Sequence, residues 1–264
     1  MKIVRWIDGN TVRTGRLLEE GTALPLVGEL FGEHTFEGRP VDIKRRLAPI
    51  DPVNIIAIGR NYAEHAREMN AGAPQEEPLI FLKLTSSIIG PDDAIVLPEP
   101  APDEVDFEAE LAVIIGREAK CVSENAAASY VFGYSCANDV SARDCQKRRD
   151  KQWARGKSFD TFCPLGPVIV TSDELSAASL RVRSILNGQV MQDGNTSEML
   201  FPVPKLISYL SHQFTLKPGT VILTGTPAGV GSARTPPVFL LPGDEIAVEV
   251  EGVGRLVNRV IRKD

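Results

Sequence analysis

The sequence predicts a β-rich α+β fold, and three features of its pattern support that class. Short apolar runs that are continuous or alternate with polar residues outnumber helical periodicities along the 264 residues. Hairpin signals recur, and Asn187-Gly188 is the strongest of them. The hydrophobic and charged fractions, 43% and 24%, are those of an ordinary globular protein. We therefore predict a mixed sheet with much antiparallel pairing, not a doubly wound parallel sheet.

Composition and charge narrow the range of functions. The net charge of −6 and the pI of about 5.3 give no electrostatic footprint for nucleic acid or anionic lipid. An apolar run of about 18 residues and an apolar leader are both absent from the sequence, so we expect neither a membrane span nor a signal peptide. Cysteines without a Cys-x-x-Cys pair are typical of reduced cytoplasmic thiols: Cys121, Cys136, Cys145 and Cys163. We expect a cytoplasmic protein whose partner is a small molecule.

The N-terminal part of the chain predicts a small β domain. Lys2–Ile7 and Thr11–Leu18 are predicted strands, and the turn between them contains Gly9. A basic stretch then leads into a new apolar run. We place a boundary there, which gives a small domain over residues 1–49 and a larger one over residues 50–264.

A short helix after the next strand carries an acid–base pair. The strand is predicted over Asn54–Ile58, and Asn61 is the expected N-cap of the helix. His65 and Glu68 are three residues apart, so they share one face of that helix. The polar, breaker-rich stretch that follows, residues 70–78, predicts a mobile loop. The helix and loop fit a lid over a site, and an ordinary pair on a surface helix is the alternative.

The stretch Val105–Ile115 predicts a strand with two carboxylates on one face. Side chains two residues apart on a strand point the same way, so Glu108 and Glu110 project together. Burying two adjacent carboxylates is costly, because they lose hydration and repel each other. A bound cation removes that cost, whereas an exposed polar edge avoids it. Both interpretations stand for the pair taken alone.

A third carboxylate follows the next predicted strand. Val131–Asn138 alternates in polarity and ends at Asp139. A polar helix is predicted from Ser141 to about Trp153, and a loop over Arg155–Phe159 follows it. Asp139 therefore lies at a strand end, as the paired glutamates do.

Two glycine-containing loops lack the context of nucleotide-binding motifs. Gly156-Lys157-Ser158 matches the end of the Walker A pattern, but Lys151 stands where that pattern needs a glycine. Thr224–Gly231 contains Pro227 and lacks the strand–glycine–helix context of a dinucleotide fingerprint. We interpret Thr224–Gly231 as a backbone wall close to a ligand or as a tight turn.

The remaining predicted elements are mostly strands. They are Pro78–Lys83, Gly166–Val170, Arg181–Leu186, Gln189–Met191, Thr220–Thr224, Asp244–Val250 and Arg255–Ile261. Two further helices are predicted, one over residues 124–130 after the N-cap Ser123 and one from Pro204 to about His212.

The carboxylates at the strand ends favour a hard metal ion. Glu108, Glu110 and Asp139 offer oxygen ligands of the kind that Mg²⁺, Mn²⁺ or Ca²⁺ prefers. The histidines are too scattered in sequence to indicate a zinc site, and the serine-hydrolase pattern Gly-x-Ser-x-Gly does not occur. A metal with few protein ligands keeps positions for substrate oxygens and acts as a Lewis acid on a carbonyl group.

Four motifs resemble, in order and spacing, those of the fumarylacetoacetate hydrolase superfamily. They are Glu108-Ala109-Glu110, Asn138–Asp144, Gly156–Asp160 and Thr224–Gly231. The likeness extends from about residue 50 to the C-terminus. The preceding residues resemble the small N-terminal domain of many bacterial members.

The resemblance implies a mixed β-roll, a Mg²⁺ or Mn²⁺ ion and a homodimer. By motif position, the metal ligands correspond to Glu108, Glu110 and Asp139. The polar residues near the substrate correspond to Arg143, Gln146, Lys157 and Thr226. The segment Asn61–Met69 resembles the lid of the acylpyruvase and oxaloacetate decarboxylase branch, in which a pair matching His65 and Glu68 becomes catalytic when the lid closes.

The substrates implied are 2-oxo acids, and three reactions stay open. We favour hydrolysis of a C–C bond in acylpyruvate- or fumarylacetoacetate-like substrates. In that reaction His65, oriented by Glu68, takes a proton from water, while the metal and Lys157 stabilise the enolate. The alternatives are isomerisation of hydroxymuconate- or 2-hydroxyhepta-2,4-diene-1,7-dioate-type diacids in aromatic catabolism, and decarboxylation of oxaloacetate. A second substrate carboxylate would bind one of three cations, which otherwise are solvated surface charges: Arg60, Lys83 or Arg143.

Two other classes fit the residues less well. A non-catalytic metal-binding module has no need of Lys157 or of the His65–Glu68 pair beside the carboxylates. A metal phosphohydrolase or nuclease also uses carboxylate clusters, but the acidic net charge argues against nucleic acid.

Overall fold

The computed structural model, which describes residues 1–19, 21–69 and 76–262, confirms the β-rich α+β class. Within those residues, 13 strands join one large mixed sheet, 5 form a second sheet and 2 form a short ladder. The α-helices in the same ranges are few and short: Ala63–Glu68 (α1), Glu124–Ala127 (α2), Ala154–Lys157 (α3) and Val203–Gln213 (α4).

Short strands make up the N-terminal part of the chain: Lys2–Asp8 (β1), Thr11–Glu19 (β2), Thr22–Gly28 (β3), His34–Phe36 (β4), Val41–Asp42 (β5) and Arg46–Leu47 (β6). The predicted hairpin is present as β1 and β2, whereas β3 to β6 were not predicted. Strand β1 also pairs antiparallel with Cys163–Thr171 (β15), with Lys2 opposite Val170. The N-terminal strands therefore extend the large sheet, and the domain division at residue 49 stays a prediction.

The other strands complete the two sheets and form the short ladder: Asn54–Gly59 (β7), Leu79–Lys83 (β8), Ile88–Ile89 (β9), Ile95–Leu97 (β10), Val105–Asp106 (β11), Ala109–Ile115 (β12), Val131–Asn138 (β13), Ser141–Ala142 (β14), Arg181–Leu186 (β16), Gln189–Asn195 (β17), Thr220–Leu223 (β18), Glu245–Val250 (β19) and Gly254–Arg262 (β20). The main path of the large sheet runs β4-β3-β2-β1-β15-β13-β12-β18-β7-β8. The second sheet runs β10-β20-β19-β16-β17.

Strand β12 lies inside the large sheet and is buried on both faces. Leu111 and Val113 belong to a core shared with β16 and β19 of the second sheet. Ala112 and Ile114 belong to another core, which includes residues of β7 and β18. Because side chains alternate along a strand, Glu110 shares the face of Ala112 and Ile114. A strand buried on both faces offers Glu110 no solvated edge.

The predicted helix from Ser141 to about Trp153 is only partly present, because its helical part covers residues 143–149. Ser141 and Ala142 form strand β14, which pairs with β11. A π-helical turn over Cys145–Arg149 follows, and α3 is a separate helix.

The C-terminal elements follow the sequence pattern closely. The Asn187-Gly188 turn joins β16 to β17, although β17 extends to Asn195, beyond the predicted end. Helix α4 has Pro204 in its first turn, as predicted. In the described ranges, no helix has the length and apolar character needed to cross a membrane.

Candidate metal centre and active-site cavity

Three carboxylates lie together where neighbouring strands begin or end. The predicted strand over Val105–Ile115 is interrupted at Phe107 and Glu108, so Glu108 precedes β12 and Glu110 lies within it. Asp139 follows β13, and its backbone N–H donates to the carbonyl of Glu108 at 2.9 Å. The ligand oxygens of Glu108, Glu110 and Asp139 all lie within 4.8 Å of one another. The structure therefore brings together the three residues predicted as metal ligands.

A buried lysine links two of these carboxylates. Lys157, at the end of α3, is 1% exposed, and its Nζ lies 2.8 Å from Glu108 and 2.7 Å from Asp139. Burial alone raises the pKa of the Glu108 carboxyl, but the charges of Lys157 and Arg143 outweigh it and hold that pKa well below its usual range. Glu108 is therefore an anion that two cations stabilise.

Glu110 differs from its neighbours because it forms no salt bridge within the described residues. It is 1% exposed, and its Oε2 accepts a hydrogen bond from the backbone N–H of Gly225 at 2.7 Å. Burial and the charges of Asp139 and Glu108 raise the pKa of Glu110 well above its usual value. A buried carboxylate beside two others is the group that a bound cation would stabilise most.

Lys83 is buried beneath Asp139 and does not line the cavity. Its Nζ lies 2.6 Å from Asp139 Oδ1 and also donates to the backbone carbonyls of Val140 and Lys157. The structure therefore corrects the expectation that Lys83 holds a substrate carboxylate. Its charge neutralises Asp139 instead.

Arg143 and Gln146 occupy the wall beside Glu108, as predicted for residues near the substrate. Arg143 is 1% exposed, and its Nη1 lies 2.7 Å from Glu108 Oε1 and donates to Gln146 Oε1 at 2.8 Å. On its other side, Arg143 Nε donates to Asp106 Oδ2 at 2.8 Å. Arg143 therefore lies between two carboxylates, one of which belongs to the candidate metal centre.

The glycine-containing segment forms an opposite wall and is tied to β12 by a side chain that was not predicted. Thr226 Oγ1 donates to the carbonyl of Ala109 at 2.8 Å and accepts from Gln192 Nε2 at 2.6 Å. Gln192 Oε1 accepts the N–H of Ala109 at 2.9 Å. The hydroxyl of Thr226 is thus already paired. Gln192 carries no recognisable motif, so only the fold reveals its position.

The lid residues face the same cavity. His65, 6% exposed, lies on α1, and its Nδ1 is 2.7 Å from Glu68 Oε1. Glu68 Oε2 accepts the backbone N–H of Gly229 at 2.9 Å, which connects the lid to the glycine-containing wall. With Nδ1 donating to Glu68, Nε2 of His65 is the nitrogen that can accept a proton. Of the predicted lid loop, residues 70–75 lie outside the described ranges.

Asn61 does not cap α1 as predicted. The residue before the helix is Tyr62, and it makes no side-chain cap. The side chain of Asn61 donates to the carbonyls of Thr224 and Phe201 and accepts the N–H of Phe201. It therefore ties the start of the lid to the glycine-containing wall and to the segment before α4.

A cavity of about 360 Å³ is lined by some of these groups, namely His65, Glu108, Arg143, Gln146, Lys157 and Thr226. Among the residues that line it are four cations: Arg60, Arg143, Lys147 and Lys157. The guanidinium of Arg60 lies 5.6 Å from the ring centroid of Trp153. Arg143 and Lys157 are paired with buried carboxylates, whereas Arg60 and Lys147 form no salt bridge within the described ranges. The cavity therefore suits an anionic ligand, and Lys147 was not predicted to line it.

The donor set fits a hard divalent cation. Three buried carboxylates converge, and Glu110 forms no salt bridge in the described part of the chain. Oxygen ligands of this kind favour Mg²⁺ or Mn²⁺ over softer metals. Glu108, Glu110 and Asp139 are the residues that would hold such an ion.

Comparison with known proteins finds close relatives over most of the chain. The model of the family described as fumarylacetoacetate (FAA) hydrolase C-terminal matches residues 54–261. The protein named oxaloacetate tautomerase FAHD2A, mitochondrial, from Homo sapiens is 49% identical over 218 residues, which are 81% of this chain and 69% of that protein.

Two solved structures resemble the whole chain. The 5-carboxymethyl-2-hydroxymuconate delta-isomerase from Mycobacterium smegmatis is 42% identical with a TM-score of 0.88, and the match covers 100% of both chains. The fumarylacetoacetate hydrolase from Exiguobacterium antarcticum is 39% identical with a TM-score of 0.90, again over 100% of both chains.

Proposed function

The chain belongs to the fumarylacetoacetate hydrolase family, and we propose that it moves a proton between the keto and enol forms of a 2-oxo dicarboxylic acid such as oxaloacetate. The observation that carries this proposal is the cavity itself, in which His65 and Lys157 share the walls with Arg60 and Lys147, two cations that form no salt bridge within the described residues. A base, a charge stabiliser and free positive charge are what enolisation of a diacid requires. Relatives at 48–50% identity carry the name oxaloacetate tautomerase.

The chain's own residues divide the reaction between them. Nε2 of His65 takes the proton from the carbon next to the substrate carbonyl, and Glu68 holds the imidazole through Nδ1. The ammonium group of Lys157 stabilises the negative charge that develops on the carbonyl oxygen. The same imidazole then returns the proton, to oxygen for the enol or to carbon for the keto form. The cation held by Glu108, Glu110 and Asp139 supplies Lewis acidity when bound.

The two ends of the substrate bind different parts of the cavity. Arg143 and Gln146, beside Glu108, fit the carboxylate next to the carbonyl. Arg60 and Lys147 carry no carboxylate partner in the described residues and fit the second carboxylate of a diacid. A monoacid would leave those two charges without a partner.

Hydrolysis of a C–C bond, the reaction that we favoured from the sequence, is the second candidate. The same Nε2 of His65 can take a proton from water instead of from carbon. The fumarylacetoacetate hydrolase from Exiguobacterium antarcticum, similar over its whole length, gives this candidate weight. Isomerisation of a hydroxymuconate-type diacid is a close variant of the first candidate, because it also moves a proton between carbon and oxygen.

Proton NMR in deuterated buffer separates these reactions. Oxaloacetate supplied as the enol is mixed with the purified protein and Mn²⁺ or Mg²⁺, and the metal without protein serves as the blank. We expect the protein to accelerate ketonisation and deuterium incorporation at the methylene carbon, and EDTA to abolish the acceleration. Acetylpyruvate and a hydroxymuconate are assayed in parallel. Ketonisation at the blank rate, with rapid cleavage of acetylpyruvate, would favour the hydrolase instead.

A further inference from the structure

Asp106 is a buried carboxylate that neither the cavity nor the carboxylate cluster includes. It lies at the end of β11, two residues before Glu108, and is 0% exposed. Its Oδ1 accepts the N–H groups of Phe107 and Gly231, both at 2.8 Å. Its Oδ2 accepts the N–H of Ser232 at 2.9 Å and Nε of Arg143 at 2.8 Å. So many donors on one side chain indicate a fixed orientation.

Arg143 shares its single positive charge between Asp106 and Glu108. Its Nε and Nη2 lie on the Asp106 side, and Nη1 lies 2.7 Å from Glu108 Oε1. The guanidinium is 1% exposed, so water does little to screen either contact. Without Asp106, the whole charge of Arg143 would act on Glu108. Glu108 would then attract a divalent cation less strongly.

We propose that Asp106 is a positioning residue of the metal centre, which neutralises and orients Arg143 so that the carboxylate of Glu108 stays available to a divalent cation. This inference rests on the cation site of the proposed function. It assigns no contact between Asp106 and the ion or the substrate. Residues that support metal ligands in this way change metal affinity about 10–100-fold when they are replaced.

A purely structural role for Asp106 makes a different prediction. Asp106 also holds the backbone of Gly231 and Ser232, at the end of the glycine-containing wall. If that were its whole contribution, removing Arg143 as well would not restore a function lost with Asp106. The charge balance between Asp106 and Arg143 therefore separates the two roles.

The test measures Mn²⁺ affinity by titration calorimetry on the metal-free full chain, without any substrate. We expect Asp106→Asn to weaken binding about 10-fold or more, because the charge of Arg143 then falls entirely on Glu108. We expect Arg143→Gln to tighten binding, because it removes a cation next to Glu108 and leaves the negative charge of Asp106. The double variant removes one charge of each sign, so its affinity should return close to that of the wild type.

The outcomes distinguish this inference from the proposed function. A wild-type chain that binds no Mn²⁺ would overturn the cation site itself. Equal Mn²⁺ affinities of the wild type and Asp106→Asn would overturn the role of Asp106 alone. A double variant that binds Mn²⁺ as weakly as Asp106→Asn would do the same. If Asp106→Asn does not fold, tighter Mn²⁺ binding by Arg143→Gln than by the wild type supports the inference, and equal or weaker binding by Arg143→Gln overturns it.

Asp93→Asn provides a matched control. Asp93 also accepts a backbone N–H, from Gly90 at 2.9 Å, and a guanidinium, from Arg45 at 2.9 Å, but it does not line the cavity. We expect its replacement to leave Mn²⁺ affinity unchanged. A loss as large as that of Asp106→Asn would mean that an aspartate–arginine contact away from the cavity, here a partly exposed one, also affects the site, and would overturn the specific role of Asp106.

Discussion

The floor and the lid of the cavity are built in opposite ways. The floor, defined as Glu108, Glu110 and Asp139, lies at the ends of strands inside a large sheet, where each residue is 5% exposed or less. The lid, defined as helix α1, is 6 residues long. A helix that short is not stable by itself, so contacts such as that of Glu68 with Gly229 must hold it in place.

Because of this difference, we expect the floor to determine cation binding and the lid to determine proton transfer. The floor fixes where charges meet, because its side chains project from strands whose register places Ala109 opposite Asn138. The lid supplies the group that takes the proton, because His65 reaches the cavity from helix α1. Changes in the floor should therefore affect cation binding and turnover together, whereas changes in the lid should affect turnover alone.

The largest effect is expected from Glu110→Gln, which removes the floor carboxylate without a cationic partner. The amide keeps the shape and can still accept the N–H of Gly225. We expect Mn²⁺ affinity and turnover each to fall by about 10²-fold or more, the upper end of the loss caused by residues that merely support a ligand. Calorimetry and the enol assay measure the two quantities.

The same variant should make the metal-free protein more stable near neutral pH. The pKa of Glu110 is raised in the folded chain, so its stabilising contribution is fully present below the usual glutamate pKa of about 4.3 and is lost as the pH rises through the raised pKa. Glutamine cannot ionise and avoids that loss. Thermal melts across pH should therefore diverge as the pH rises, and parallel melts would contradict the assignment. Glu104→Gln, at a partly exposed salt bridge with Arg148, should change neither Mn²⁺ affinity nor stability.

The next largest effect is expected from His65→Ala, which removes the base and leaves the floor intact. We expect turnover to fall by about 10²-fold or more, the usual contribution of a general base. Mn²⁺ affinity should not change, because His65 forms its hydrogen bond with Glu68 and not with a floor carboxylate. This result would show that the lid contributes to turnover but not to cation binding.

His212→Ala is the matched control for the lid variant. His212 is exposed on α4 and contacts only the backbone carbonyl of Ser208 within the described residues. Its replacement should leave both turnover and Mn²⁺ affinity at the wild-type values. Wild-type turnover in His65→Ala itself would contradict the role of the histidine, whatever the control gives.

The sequence predicts the floor better than it predicts what surrounds it. The spacing of Glu108 and Glu110 and the position of Asp139 after a predicted strand are local features, so these carboxylates can be grouped as candidate ligands before any tertiary contact is known. The strand assumed for Glu108 is nevertheless interrupted at that residue. The contact of Asp106 with Gly231 spans 125 residues of sequence, and that of Asn61 with Thr224 spans 163. Side-chain contacts over such distances leave no local pattern, and for this reason the partners of the site residues were missed.

The errors in secondary structure have a similar cause. At the break before β12, the backbone N–H of Glu108 donates to the side chain of Asn138, 30 residues away, a tertiary contact that local preference does not indicate. Lys83 ends an apolar strand, and the sequence alone cannot decide whether its ammonium group faces a cavity or a buried carboxylate. The structure places it 2.6 Å from Asp139.

The smallest effects are expected where the lid joins the floor, at the neighbouring residues Asn61 and Tyr62. Both are buried, at 0% and 2% exposure. The amide of Asn61 makes three hydrogen bonds, whereas the hydroxyl of Tyr62 has no hydrogen-bond partner among the described residues. Burial and the charge of Glu110 raise the pKa of Tyr62, so its hydroxyl stays protonated.

We expect Asn61→Ala to destabilise the chain by about 2 kcal/mol or more, because buried backbone groups of Phe201 and Thr224 lose their partner. Tyr62→Phe should stay within about 1 kcal/mol of the wild type, on the stabilising side, because it removes a buried hydroxyl that forms no hydrogen bond. Urea unfolding of the metal-free protein measures both changes. If Tyr62→Phe were as destabilising as Asn61→Ala, the hydroxyl would have to be paired in solution, and the junction would belong to the rigid floor rather than to the lid.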